Sequence, residues 1–217
     1  EATSQELAHD RLRSWGMNTI GGFSDEDVYL QARTPYTIVL YPTNPSLING
    51  LGTFPDYFDP QYRGNVVSRI REEAGKSLGD PWLLGYFVHN ELPWTRSSSE
   101  NIDVGLAALA APPTQHAKVA FQQQLIVTYG GITALNAAWQ TGYSSWADFL
   151  QRQDVVPDAG RAGGDLRAFD IRYAEQYFDT TRSALAEAAP QHLYLGARFT
   201  NGVRTAVAEA AASRVDV

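Results

Sequence analysis

The stretch Trp82-Leu-Leu-Gly-Tyr-Phe-Val-His-Asn-Glu91 limits what this chain can fold into more than any other. It is an uninterrupted apolar run behind a Gly79-Asp80-Pro81 turn, the pattern of a strand buried on both faces in a parallel sheet. The run stops abruptly in Asn90-Glu91 and is followed by Leu92-Pro93-Trp94. In open α/β sheets and in barrels the chemistry collects at the carboxyl ends of the strands. Glu91 is therefore the first candidate for a catalytic residue.

The flanking sequence alternates helix and strand patterns. Residues 3–15 carry Leu7, Ala8, Leu12 and Trp15 at helical spacing, with Gly16 as a stop. Residues 17–23 read as a short strand ending in Ser24-Asp25, which can cap an acidic helix. A second strand over 36–41 is ended by Pro42, and 45–59 is a loop rich in Gly, Pro, Asn and aromatics, long enough to be functional. Asp59-Pro60 then opens a helix in the N-cap and N1 arrangement. The order α-β-α-β-α-β predicts a parallel sheet with helical crossovers.

Past Trp94, a polar segment to Pro113 reads as an extended loop, and 114–150 reads as helical with Trp139 and Trp146 in the core. Residues 154–164 form a Gly/Pro/Asp-rich loop. Phe169, Tyr173, Tyr177, Phe178 and Leu185 then mark a helix of about six turns. A fourth strand is expected over 192–198, an Ala-rich helix over 203–212, and the start of a further strand at 215–217.

The chemistry left open is narrowed by what the chain lacks. With 217 residues, 44% hydrophobic and 19% charged, the composition is that of an ordinary globular domain. A net charge of −7 with scattered Arg residues gives no basic face for nucleic acid, so a neutral or polar partner is expected. No cysteine is present, which excludes disulfides, Cys-ligated zinc and thiol catalysis. His9, His89, His116 and His192 lack metal-ligand spacing, and no cofactor is expected. Gly75-Lys76-Ser77 lacks the earlier glycine of a phosphate-binding loop, and no Gly-x-Ser-x-Gly elbow occurs. No run approaches a membrane span and no leader opens the chain, so either the protein is cytoplasmic or its leader lies outside this sequence.

Four blocks in order resemble a known family: Trp15-Gly-Met-Asn-Thr-Ile-Gly, Pro55-Asp-Tyr-Phe-Asp-Pro60, the Trp82–Trp94 segment, and His192-Leu-Tyr-Leu-Gly-Ala-Arg198. They are similar to the β-agarases of glycoside hydrolase family 50 and, more distantly, to the family 42 β-galactosidases. Both are (β/α)8 TIM barrels with an Asn-Glu acid/base at the end of the fourth strand and a Glu nucleophile at the end of the seventh. The resemblance makes the 17–23, 36–41, 82–90 and 192–198 strands barrel strands two to five, and 215–217 the start of strand six. It thus implies that residues 1–217 are a fragment of a catalytic barrel, lacking the strand that bears the nucleophile. One position departs from the family pattern, His89, where an acidic residue is expected.

The resemblance also implies a retaining mechanism, which needs two carboxyls about 5–5.5 Å apart. Glu91 would be the general acid/base, and Asn90 would hydrogen-bond the sugar 2-hydroxyl. His89, Trp94, Phe23, Asp25 and Arg198 are strand-end candidates for contacts to substrate or carboxylate. The implied partner is a β-linked galactan such as agarose, and the implied location is extracellular or periplasmic. Alternatives are an inactive carbohydrate-binding relic, a β-galactosidase acting on small galactosides, and an unrelated barrel enzyme in which Glu91 is structural.

Overall fold

The computed structural model describes residues 3–48, 50–51, 54–94, 103–200 and 202–217. Three parallel strands, β1 (Tyr36–Leu40), β2 (Leu83–Val88) and β3 (Leu193–Tyr194), lie side by side in that order. Among the described residues this is an open three-stranded sheet, not a closed ring. The expected strand over 17–23 survives only as a parallel bridge between Ile20 and Tyr36. The 192–198 strand is formally two residues long, but Leu195 donates to the Tyr86 carbonyl, Val88 to Gly196 and Glu91 to Arg198, so backbone pairing with β2 continues to the end. Residues 215–217 form no strand. Asp216 instead exchanges two hydrogen bonds with Tyr194, one from its backbone N–H and one to its side chain.

One face of the sheet is covered by helices. Ile38, Leu40, Tyr86, Val88 and Tyr194 are buried there beneath α3 (Gln61–Arg71) and α8 (Ala159–Ala188), which pack on each other. Tyr177 of α8 donates its hydroxyl to the Val88 carbonyl, and Tyr173 donates to Pro55 in the loop after β1. Phe87 and Leu193 lie on the opposite face and are only partly covered, Leu193 being 41% exposed.

Before β1, α1 (Ser4–Ser14) begins in a capping box of Thr3 and Glu6. The single-turn α2 (Glu26–Tyr29) is capped by Asp25. Between β2 and α8 come α4 (Asp103–Ala110), α5 (His116–Tyr129), α6 (Ile132–Trp139) and α7 (Trp146–Gln151), and α9 (Thr205–Ala212) follows β3. Two sequence expectations are corrected here. Of the loop expected after Trp94, residues 95–102 lie outside the described residues, and the part to Pro113 contains α4, whose first amides Val104 and Gly105 donate to the buried Asp170 carboxylate on α8, a cap supplied from far along the chain. The loop expected over 154–164 is helical from Ala159, because Asp158 caps Arg161; α8 thus runs 30 residues, roughly 45 Å.

Gly85 shows how tightly β2 and β3 meet. A Cβ at that position would lie 2.3 Å from the Leu193 carbonyl oxygen, a backbone atom that cannot rotate away. Gly85→Ala is expected to destabilise the chain by about 1–3 kcal/mol by forcing β3 outward. Urea denaturation followed by tyrosine and tryptophan fluorescence measures it, and a midpoint equal to wild type would contradict this packing.

Candidate active site

The site is built where β2 ends. Strand alternation would put His89 on the open face beside Phe87, yet His89 is buried. Its ring is parallel to Tyr62 of α3 at 6.3 Å and lies 6.2 Å from Tyr177. The cause is local: His89 has φ +62°, in the left-handed region that L-residues rarely occupy, and Glu91 has φ +54°. Val88 and His89 therefore both enter the helix layer, and the period of two is broken just before Asn90. The His89 amide still donates to Leu40 at 2.8 Å, so the turn is pinned to β1.

Beyond the turn, Asn90 forms a parallel bridge with Arg198. The Arg198 guanidinium donates to the Asn90 side-chain oxygen at 2.8 Å and sits over the Phe23 ring at 4.6 Å. The Glu91 backbone is held by its 2.8 Å bond to the Arg198 carbonyl, while the Glu91 side chain is exposed. The structure thus gathers Asn90, Glu91, Arg198 and Phe23 from three separate segments at the carboxyl end of the sheet. Phe23, 62% exposed, owes its orientation to the guanidinium stacked on it.

The other three candidates are placed differently. Asp25 is engaged as the N-cap of α2, accepting from the Asp27 amide at 2.8 Å. Trp94 is buried, edge-on to Phe54 at 4.9 Å and stacked with Phe178 at 6.3 Å. It also borders an apolar cleft walled by Leu51, Val104 and Val207. His89 is packed inside, as described. Both Trp94 and His89 are buried among the rings of the helix side, and neither is presented on the open surface. Sequence reasoning passed over Tyr41, which directly follows β1, half-exposed, with its ring edge-on to His89 at 6.5 Å. The strand-end rule that singled out Glu91 would have found it. Among the described residues no group of three or more His, Asp or Glu is arranged to hold a metal ion, and no helix is long and apolar enough to cross a membrane.

Burial lowers the His89 pKa from 6.5 to about 4. His192 is also lowered, chiefly by burial, with its bond to Leu83 and the charge of Asp80 acting the other way. Its Nε2 accepts from the Gly79 amide and its Nδ1 faces the Leu83 carbonyl, the pattern of a neutral ring. Below pH 6.5 the unfolded chain takes up protons that these folded rings refuse. The His89 stabilisation is therefore complete above pH 6.5 and is lost as pH falls toward 4, about 3 kcal/mol, and His192 acts in the same direction. Urea midpoints at pH 7 and 4.5 test this. His89→Asn, which tolerates the left-handed turn and does not titrate, should flatten the dependence; an unchanged slope would contradict the assignment.

No family model matches the chain. Among curated proteins it is 30% identical over 233 residues to Beta-agarase A of Vibrio sp. (strain JT0107), an alignment covering 98% of this chain and 23% of that protein. Among solved structures, an exo-beta-agarase superposes with a TM-score of 0.88 at 30% identity, over 98% of this chain and 30% of that one. A beta-galactosidase from the psychrophilic Marinomonas ef1, at 14% identity and a TM-score of 0.64 over 97% of this chain and 37% of that one, shares the fold alone. The fold is thus the one found in part of these glycosidases. Within that class, the sequence is similar to the β-agarases along nearly its whole length. The chain spans about a quarter of the length of the curated relative it matches.

Proposed function

We propose that this chain forms the acid/base side of a (β/α)8-barrel glycoside hydrolase that cleaves β-linked galactans such as agarose with retention of configuration. The observation that carries the reading is the Asn90-Glu91 turn, an exposed carboxylate held at the carboxyl end of a buried parallel strand by backbone bonds to Arg198. The likeness to an exo-beta-agarase over 98% of the chain supports the substrate class.

In this mechanism Glu91 gives its proton to the glycosidic oxygen as the bond to the anomeric carbon breaks, while a second carboxylate attacks from the opposite face. Glu91 then takes a proton from the water that releases the sugar. Asn90 donates to the 2-hydroxyl, and Arg198 fixes the Asn90 amide by occupying its oxygen, which leaves the NH2 group directed at substrate. His89 and Trp94 are positioning residues that hold the turn from the helix side. The second carboxylate is expected outside residues 1–217, which match 30% of the exo-beta-agarase chain.

It follows that residues 1–217 alone should release no reducing sugar from agarose. The open face bearing Phe87 and Leu193 should also favour self-association. Assay beside light-scattering mass tests both expectations. A soluble monomer with clear turnover would show that this chain contains its own nucleophile and would refute the proposal.

A further inference from the structure

A second place on the molecule has the chemistry of a sugar site. Because α2 is a single turn, it covers only part of β1. Tyr29 stacks on Tyr36 at 4.6 Å at the start of the strand, and Glu26 pairs with Lys76 at 3.0 Å. Beyond that cover, a recess of about 240 Å³ opens between the end of β1 and α3, lined by Tyr41, Thr43, Asn65, Ser68, Arg69 and Glu72. We infer that this recess, whose Tyr41 ring meets His89 of the turn edge-on, binds a further saccharide unit of the polymeric substrate.

Three features point to a neutral polyol. Tyr41 is 52% exposed, yet its ring is held edge-on by His89, so it offers a fixed apolar face on which the C–H side of a pyranose can stack. The polar wall is held in place as well. Asn65 donates to the Thr43 carbonyl at 2.9 Å, and Arg69 is fixed by Glu73 at 2.7 Å and approaches Glu72 at 3.7 Å. Meanwhile the hydroxyls of Tyr41, Thr43 and Ser68 bond to no described side chain or backbone group. One guanidinium and one carboxylate line the recess together, so neither an anion nor a cation is favoured, whereas a sugar can use both. The choice of a galactan as ligand rests on the proposed function; the recess itself does not. A chain held at two places gains effective concentration at each of them.

The test is a titration of the ¹⁵N-labelled chain with an agarose-derived hexasaccharide. Saturable amide shifts are expected over 41–43 and 65–72. Ser68→Gln, an exposed substitution on α3 that fills the recess, and Tyr41→Ala should each weaken that binding roughly tenfold or more. Shifts confined to 89–91 and 198 would overturn the recess site and leave the proposed function standing. Shifts over 65–72 that Ser68→Gln leaves unchanged would also overturn it. A titration that moves neither region would count against both.

Discussion

Replacing Glu91 with Gln, in a protein that carries this chain within a whole barrel, is expected to lower kcat on agarose by roughly 10²–10⁴-fold and leave KM nearly unchanged. The size follows from the role. The leaving group is a sugar hydroxyl, a poor one, and departs only as it receives a proton. Gln keeps the shape and the backbone bond to Arg198 but has no proton to give. Ground-state contacts through Asn90 and Arg198 survive the change, so binding should persist. Measured kinetics on agarose oligosaccharides decide the point: a parental rate would move the acid elsewhere, and a large rise in KM alone would make Glu91 a binding residue.

The largest effect on stability is expected at Lys118. It is fully buried on α5, and its ammonium donates to the carbonyls of Leu109, Ala111 and Arg152 at 2.7–2.8 Å, tying the end of α4 to the end of α7. Three donors meet three acceptors, so the group is satisfied without a counter-ion. Burial lowers its pKa to about 8, which still leaves the ammonium form prevailing at pH 7. Lys118→Met removes the donors and strands the carbonyls. The expected cost is about 3–5 kcal/mol, or a fall in Tm of roughly 10 °C for a chain of this size. Thermal and urea denaturation at pH 7 measure it, and a loss under 1 kcal/mol would mean that water replaces the ammonium with ease.

How far the sequence could be read depended on whether the cause of each feature was local. The β2 run was legible as a strand because it is continuously apolar and Asn90-Glu91 marked its end, but burial on both faces was not met, since Leu84 is 41% exposed and Phe87 is only partly covered. The Asp59-Pro60 signal marked the start of α3 one residue early: Pro60 is the N-cap and Asp59, just before it, accepts from the amide of Gln61, the first residue of the helix. The strand over 17–23 failed because Gly21-Gly22 lets the chain leave the sheet after a single bridge at Ile20. Helix α4 was hidden because its cap comes from Asp170, and because Gly105, a weak helix former, is there for close packing: a Cβ on it would lie 2.8 Å from Leu166. At the candidate site, Asn90, Glu91 and Arg198 came together as expected. The inward turn of His89 was illegible, since no sequence rule places a histidine in the left-handed region, and its contacts there, with Tyr62, Tyr177, Tyr41 and the Leu40 carbonyl, come from distant segments.

If Glu91 is the proton donor, its loss must be felt in proportion to how badly the leaving group needs a proton. In the whole-barrel protein, Glu91→Gln should keep the parental glycosylation rate on a dinitrophenyl β-galactoside, whose phenolate needs no proton, while losing roughly 10²–10⁴-fold on agarose. Added azide should then restore turnover of the aryl substrate as β-galactosyl azide. Equal losses on both substrates, with no azide product, would contradict the assignment of Glu91 as the acid/base and leave it as a residue that only shapes the end of β2.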